Sequence, residues 1–204
     1  MWPPVGYNGP MSQKIEAIIF DCFGVVITDA LSLLHRELAE RDEAAASELR
    51  DVIRAANRGI ISSDESRQRV AELLDITKTE YRQRMDSSER TDWKLLDYIG
   101  KLRVDYKTAM LSNITQSGLQ RRFPDDKLLD YFDEVVISSE IGYVKPEPEA
   151  YLITAERLGV APESCVFLDD REGYCDGARD VGMQAIRYDS FDQATTELER
   201  LLTA

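Results

Sequence analysis

The chain has 204 residues, 43% apolar and 31% charged, long enough for one main domain plus a modest insertion. Its net charge of −13, from 38 acidic and 25 basic residues, argues against a nucleic-acid surface and against a hold on anionic lipid, though a local cradle of donors can still take a small anionic substrate. One histidine (His35) rules out a histidine-rich metal site, no run is long enough to span a membrane, and three cysteines without a CxxC pair (Cys22, Cys165, Cys175) read as reduced thiols of a cytoplasmic protein.

Residues 1–13 hold three prolines and two glycines and no apolar signal core, so they read as a flexible arm. The first strand follows. Ala17-Ile18-Ile19-Phe20 is apolar throughout, as in the buried strands of parallel sheets, and it ends on Asp21 with Gly24 three residues on. From Thr28 the period becomes helical: Leu31, Leu34 and Leu38, then Leu49, Val52, Ile53 and Ala56, closing at Gly59. Ser62 with Glu65, and Thr77 with Glu80, have the spacing of capping boxes that open two more helices. No strand pattern occurs between Asp29 and Arg90, which makes 29–90 an all-helical insertion directly after the first strand.

A helix carrying Leu95, Leu96, Ile99 and Leu102 opens the remainder, with Trp93 and Leu96 expected to pack the insertion against the core. Short apolar runs then alternate with helical patterns. They are Thr108–Leu111 ending at Ser112-Asn113, Val135–Ile137 ending at Ser138-Ser139, Val166–Leu168 ending at Asp169-Asp170, and Ala185-Ile186. Alternating strands and helices of this kind predict a Rossmann-like, doubly wound parallel α/β sheet, built from 14–28 and 91–204, with helices on both faces.

Each strand end has an ordinary explanation as a turn or a helix cap. Taken together they put a carboxylate, a hydroxyl, a lysine (Lys145) and two further acids at one edge of one sheet. Phosphoryl transfer needs that inventory: a nucleophile, donors for phosphate oxygens, and carboxylates for a hard divalent cation. Among the residues outside it, His35 reads as packed or solvated on its helix, with a place facing the pocket as the alternative. Cys22 reads as inert packing, and Arg121-Arg122 as a solvated helix face, with contact to an anion as the alternative.

These residues resemble the motifs of the haloacid dehalogenase-like superfamily from about Ile15 to Leu202. The first motif is Phe20-Asp21-Cys22-Phe23-Gly24-Val25, and the second is Ala109-Met110-Leu111-Ser112-Asn113. The third is Lys145-Pro146-Glu147-Pro148 with Tyr151; the fourth is Phe167-Leu168-Asp169-Asp170 with Gly177-Ala178 through Gly182-Met183. The insertion resembles the small helical cap of the family's first cap class.

The resemblance implies an Mg²⁺-dependent phosphatase-like hydrolase that acts on a small phosphorylated metabolite through an aspartyl-phosphate on Asp21. It implies Mg²⁺ held by Asp21, Asp170 and the carbonyl of Phe23, with Asp169 acting through waters. Ser112, Asn113 and Lys145 would hold the phosphoryl group. Two departures qualify this. Phe23 stands where phosphatases of the family carry a second aspartate, which implies weakened acid–base catalysis, and Tyr174 stands near a common asparagine. Two alternatives follow from Phe23: a 2-haloacid dehalogenase using Asp21 without metal, and a low-activity binding protein of the same fold. Neither nucleic acid nor membrane is expected as partner, and the oligomeric state is open.

Overall fold

A strand without a polar face needs cover on both sides, and these strands obtain it. The computed structural model describes residues 14–203; the flexible arm read at 1–13 lies outside them. Five parallel strands form one sheet: β1 (Ala17–Phe20), β2 (Lys107–Ser112), β3 (Glu134–Ile137), β4 (Cys165–Asp169) and β5 (Gln184–Arg187). Their order is β3-β2-β1-β4-β5. The chain winds outward in one direction from β1 to β3 and in the other from β4 to β5, so the order reverses between β1 and β4. Ligands of open α/β sheets sit beyond the carboxyl ends at such a switch point. Phe20 pairs in register with Met110 and with Leu168, which brings the ends of the three central strands to one edge.

Between β1 and β2 the chain makes four helices: α1 (Ala30–Arg41), α2 (Glu43–Asn57), α3 (Ser63–Leu73) and α4 (Lys78–Ser88). Each begins on a capping side chain (Asp29, Asp42, Ser62 or Thr77) that accepts from a main-chain N–H three residues on. The Thr77–Glu80 box closes in both directions. At Ser62 the hydroxyl accepts from Glu65 N, while the Glu65 carboxylate turns to Arg69 at 3.8 Å. The four helices share a core of their own, with Leu34, Leu38, Leu49, Val52, Val70, Leu74 and Met85 buried together. At about 1.5–3 kcal/mol for each fully buried large side chain, that cluster organises the block independently of the sheet.

The two connections between block and sheet pair with each other. Thr28 N donates to Arg90 O, Asp92 N donates to Val26 O, and Thr28 Oγ1 bonds Ser88 O and Arg90 N. The block therefore rises from a single paired stem at the carboxyl edge of β1.

The remaining helices cover the sheet: α5 (Trp93–Leu102), α6 (Gln116–Arg122), the one-turn α7 (Ser138–Ile141), α8 (Pro148–Leu158), α9 (Glu172–Asp180) and α10 (Phe191–Leu202). Strand residues alternate between two apolar layers. Ile18, Phe20, Met110, Val166 and Leu168 pack with α5 and α10. Ala17, Ile19, Ala109, Leu111 and Phe167 pack with α8 and α9. One expectation fails here. Leu96 is buried in the sheet layer, but Trp93 at the start of α5 is 58% exposed and belongs to no apolar cluster among the described residues.

Candidate active site

Asp21 leaves β1 and Asp169 closes β4, so the two carboxylates flank the switch point from adjacent strands. Lys145 bridges them: its Nζ lies 2.6 Å from Asp21 Oδ1 and 2.6 Å from Asp169 Oδ2. All three side chains are buried. Asp170 adds a third carboxylate, and one oxygen of each lies within 4.8 Å of the others.

Three carboxylates against one ammonium leave two negative charges unbalanced. The protonation preferences follow from burial first and from these neighbouring charges second. Burial works against the charge on Lys145, but Asp169 and Asp21 outweigh it and hold the lysine protonated. Burial lifts the Asp21 carboxyl to about 7; Lys145 opposes the rise and Asp169 adds to it. Asp170 is lifted to about 6 by burial and by Asp169, against the pull of Arg171.

The chemistry of this donor set fits a hard divalent cation, which takes carboxylate oxygens and would cancel the surplus charge. An independent observation agrees: Asp170 Oδ1 is buried with no hydrogen-bond partner among the described residues. An orphaned carboxylate oxygen among carboxylates is costly unless something positive joins it. Gly24 is what admits Asp170. Its φ is +89°, and a Cβ there would come within 2.9 Å of all three Asp170 carboxyl atoms.

Ser112 closes β2, and its Oγ is the other buried side-chain atom with no partner among the described residues. Asn113 is tied to the lysine loop: its Nδ2 donates to Lys145 O at 3.0 Å and its Oδ1 accepts from Lys145 N at 2.8 Å. Gly177 seats the same loop from below, since a Cβ there would lie 2.9 Å from both Pro146 Cβ and Tyr151 Oη. The structure thus brings Asp21, Ser112, Asn113, Lys145, Asp169 and Asp170 to one strand edge. Phe23 is beside them, but its ring faces the cavity wall with the Arg122 guanidinium 4.9 Å from its centroid.

A model of the haloacid dehalogenase-like hydrolase family matches residues 15–182. The chain belongs to the haloacid dehalogenase-like hydrolases. It is 25% identical to a D-ribitol-5-phosphate phosphatase of Bacteroides thetaiotaomicron over 93% of its own length and all of that protein. Higher identities are local: 42% over 77 residues of a phosphatase from Mycobacterium tuberculosis, and 39% over 59 residues of a fructose-1-phosphate phosphatase from Escherichia coli. Those matches cover 38% and 29% of this chain, and span about a third of each relative's length (36% and 31%). Among solved structures, a family enzyme from B. thetaiotaomicron in complex with magnesium and inorganic phosphate superposes with a TM-score of 0.71, covering 88% of this chain and 98% of that one at 22% identity. That last likeness concerns the fold.

In this family member the strand edge opens into a cavity of about 510 Å³ between the sheet and α1–α4. Its walls hold residues that the sequence did not single out as functional. Arg121 and Arg122 are no solvated face. Arg121 pairs with Asp86 and Glu89, and Arg122 forks onto Glu89, whose side chain is only 9% exposed. Arg171, directly after Asp170, reaches Asp29 at 2.9 Å and Ser32 at the foot of α1. Ion pairs therefore stitch the helical block to the sheet around the cavity mouth. Tyr174 lies over the lysine, its ring centroid 5.1 Å from Lys145 Nζ. His35 lines the cavity half-buried, with Arg50 Nη1 2.6 Å from its Nε2. Cys22 is buried and its thiol is pushed up to about 12, chiefly by that burial, so it is inert packing. Only helical spacing in α2 and α4 hinted at Arg50, Arg54 and Arg82, and spacing alone does not say which face meets the cavity.

Proposed function

We propose that this protein is an Mg²⁺-dependent phosphatase acting on a small phosphorylated metabolite, with α1–α4 as its cap. The observation that carries the reading is the Asp21–Lys145–Asp169 bridge with Asp170 Oδ1 and Ser112 Oγ beside it, both without partners among the described residues. The phosphatase names of the relatives support it.

Asp21 attacks phosphorus; the bond from phosphorus to the ester oxygen breaks, and an aspartyl-phosphate forms on Asp21. Ser112 Oγ and the main chain at Asn113 donate to phosphoryl oxygens, and Lys145 holds the nucleophile in place while offsetting charge as it builds. Asp21, Asp170 and the Phe23 carbonyl would hold Mg²⁺, with Asp169 reaching it through water. When bound, the ion supplies Lewis-acid charge to the phosphoryl oxygens. Water then cleaves the aspartyl-phosphate to regenerate Asp21 and release inorganic phosphate.

Phe23 carries no proton, so the departing oxygen and the attacking water draw on solvent. General acid–base help is worth about 10²–10⁴-fold, so turnover of substrates with poor leaving groups is slow. A dehalogenase is favoured only by the aromatic at 23. Asp169 and Asp170 oppose it, because they repel the carboxylate of a 2-haloacid.

The test is p-nitrophenyl phosphate with and without Mg²⁺. Phosphate release should require the ion and fall at least about 10³-fold in Asp21→Asn, as loss of a nucleophile does. Release that persists in that variant, or halide release from 2-chloropropionate without metal, would overturn the proposal.

A further inference from the structure

The cavity has a second set of cations that the phosphoryl site does not use. Seven arginines line it against two carboxylates, in a chain whose overall charge is −13. Most of the seven are committed. Arg121 and Arg122 serve Asp86 and Glu89, and Arg171 serves Asp29. Arg50 and Arg67 have looser partners, Glu43 and Asp64, each at 3.4 Å. Arg54 and Arg82 make no ion pair and no side-chain hydrogen bond among the described residues, yet both line the cavity.

Their placement follows from the helices. Arg50, Ile53, Arg54 and Asn57 fall at i, i+3, i+4 and i+7 on α2, so one face of that helix meets the cavity. Arg82 arrives on α4 between the cavity-lining Tyr81 and Met85. These cations therefore stand on the helical wall, whereas the phosphoryl chemistry stands on the sheet wall. Apolar side chains line the same cavity, among them Ile53, Met85 and Ile114. Guanidinium is the side chain that best grips carboxylate or phosphate, because its planar fork donates two parallel bonds. A volume near 510 Å³ suits a small metabolite, not a polymer.

We infer that Arg54 and Arg82 form a second anion subsite on the helical wall, and that the substrate carries a second anionic group, carboxylate or phosphate, at the end remote from the phosphoryl group transferred. This rests on the phosphatase reading for the orientation of the substrate, but its test needs no turnover.

Calorimetric titration of the Asp21→Asn protein with Mg²⁺ present compares fructose 6-phosphate with fructose 1,6-bisphosphate and 6-phosphogluconate. The doubly anionic probes should bind at least tenfold tighter, and the better of the two identifies the distal group as phosphate or carboxylate. Arg54→Gln and Arg82→Gln should each narrow that advantage several-fold and together erase it. Arg200→Gln, on the outer helix α10, should leave it intact. An advantage below twofold, or one that survives the double substitution, overturns the subsite. Failure of p-nitrophenyl phosphate hydrolysis would sink the phosphatase reading without touching this comparison.

Discussion

The two walls of the cavity are built on opposite principles. On the sheet wall the central charges are buried and locked: Lys145 sits between Asp21 and Asp169, and Asn113 brackets the lysine's main chain from both sides. On the helical wall Arg54 and Arg82 are exposed and, among the described residues, uncommitted. Locked charges preorganise a reaction, because nothing has to move when charge develops. Loose charges suit recognition, because they can meet a ligand without first breaking a bond. Between the walls lies a seam of ion pairs through Glu89 and Arg171, which fixes how far apart they stand.

The largest expected effect comes from breaking the locked wall. Lys145→Met strands two buried carboxylates, and removing one member of a buried pair costs about 3–5 kcal/mol in urea denaturation. The pH dependence has a definite sign. Without the lysine, the folded-state Asp21 carboxyl rises further above its unfolded value of about 3.9. A raised acid weakens the fold above that value, so the deficit is greatest at pH 8 and shrinks as pH falls. A deficit independent of pH between 5 and 8 would show that the wall is held by packing instead.

Next in size is the seam. Glu89→Gln leaves Arg121 and Arg122 facing a neutral amide in a site only 9% exposed, and should cost about 1–3 kcal/mol. It should also raise KM more than it lowers kcat, since it loosens the helical wall and leaves the Asp21–Lys145–Asp169 bridge in place. The smallest effect sharpens the chemistry. Phe23→Asp, with Mg²⁺ present, should raise the rate on an alkyl phosphate by about tenfold and change p-nitrophenyl phosphate much less, because only the poor leaving group needs a proton. Equal gains on both would mean that Phe23 obstructs the site sterically.

The sheet wall was legible in the sequence. Parallel strands ended on Asp21, Ser112 and Asp169-Asp170, and a strand's direction in a doubly wound sheet fixes which edge its last residue joins. Lys145 was legible for the same reason, as a loop residue between two such strands. Phe23 was legible as a departure, but its contact with Arg122 was not. The error at Trp93 and the reassignment of Arg121-Arg122 share one cause. Helical periodicity reports which residues share a face, and only packing reports what that face meets.

By itself, then, the sequence determined the α/β core, the order of its strand-end chemistry, and the all-helical insertion between β1 and β2. These are local properties: buried strands, caps and turns are written in neighbouring residues. The tertiary structure decided the bridge geometry of Lys145, the two partnerless oxygens of Ser112 and Asp170, and the arginine wall. Those depend on residues 24 to 124 positions apart in the chain meeting in space, and no local pattern encodes such a meeting.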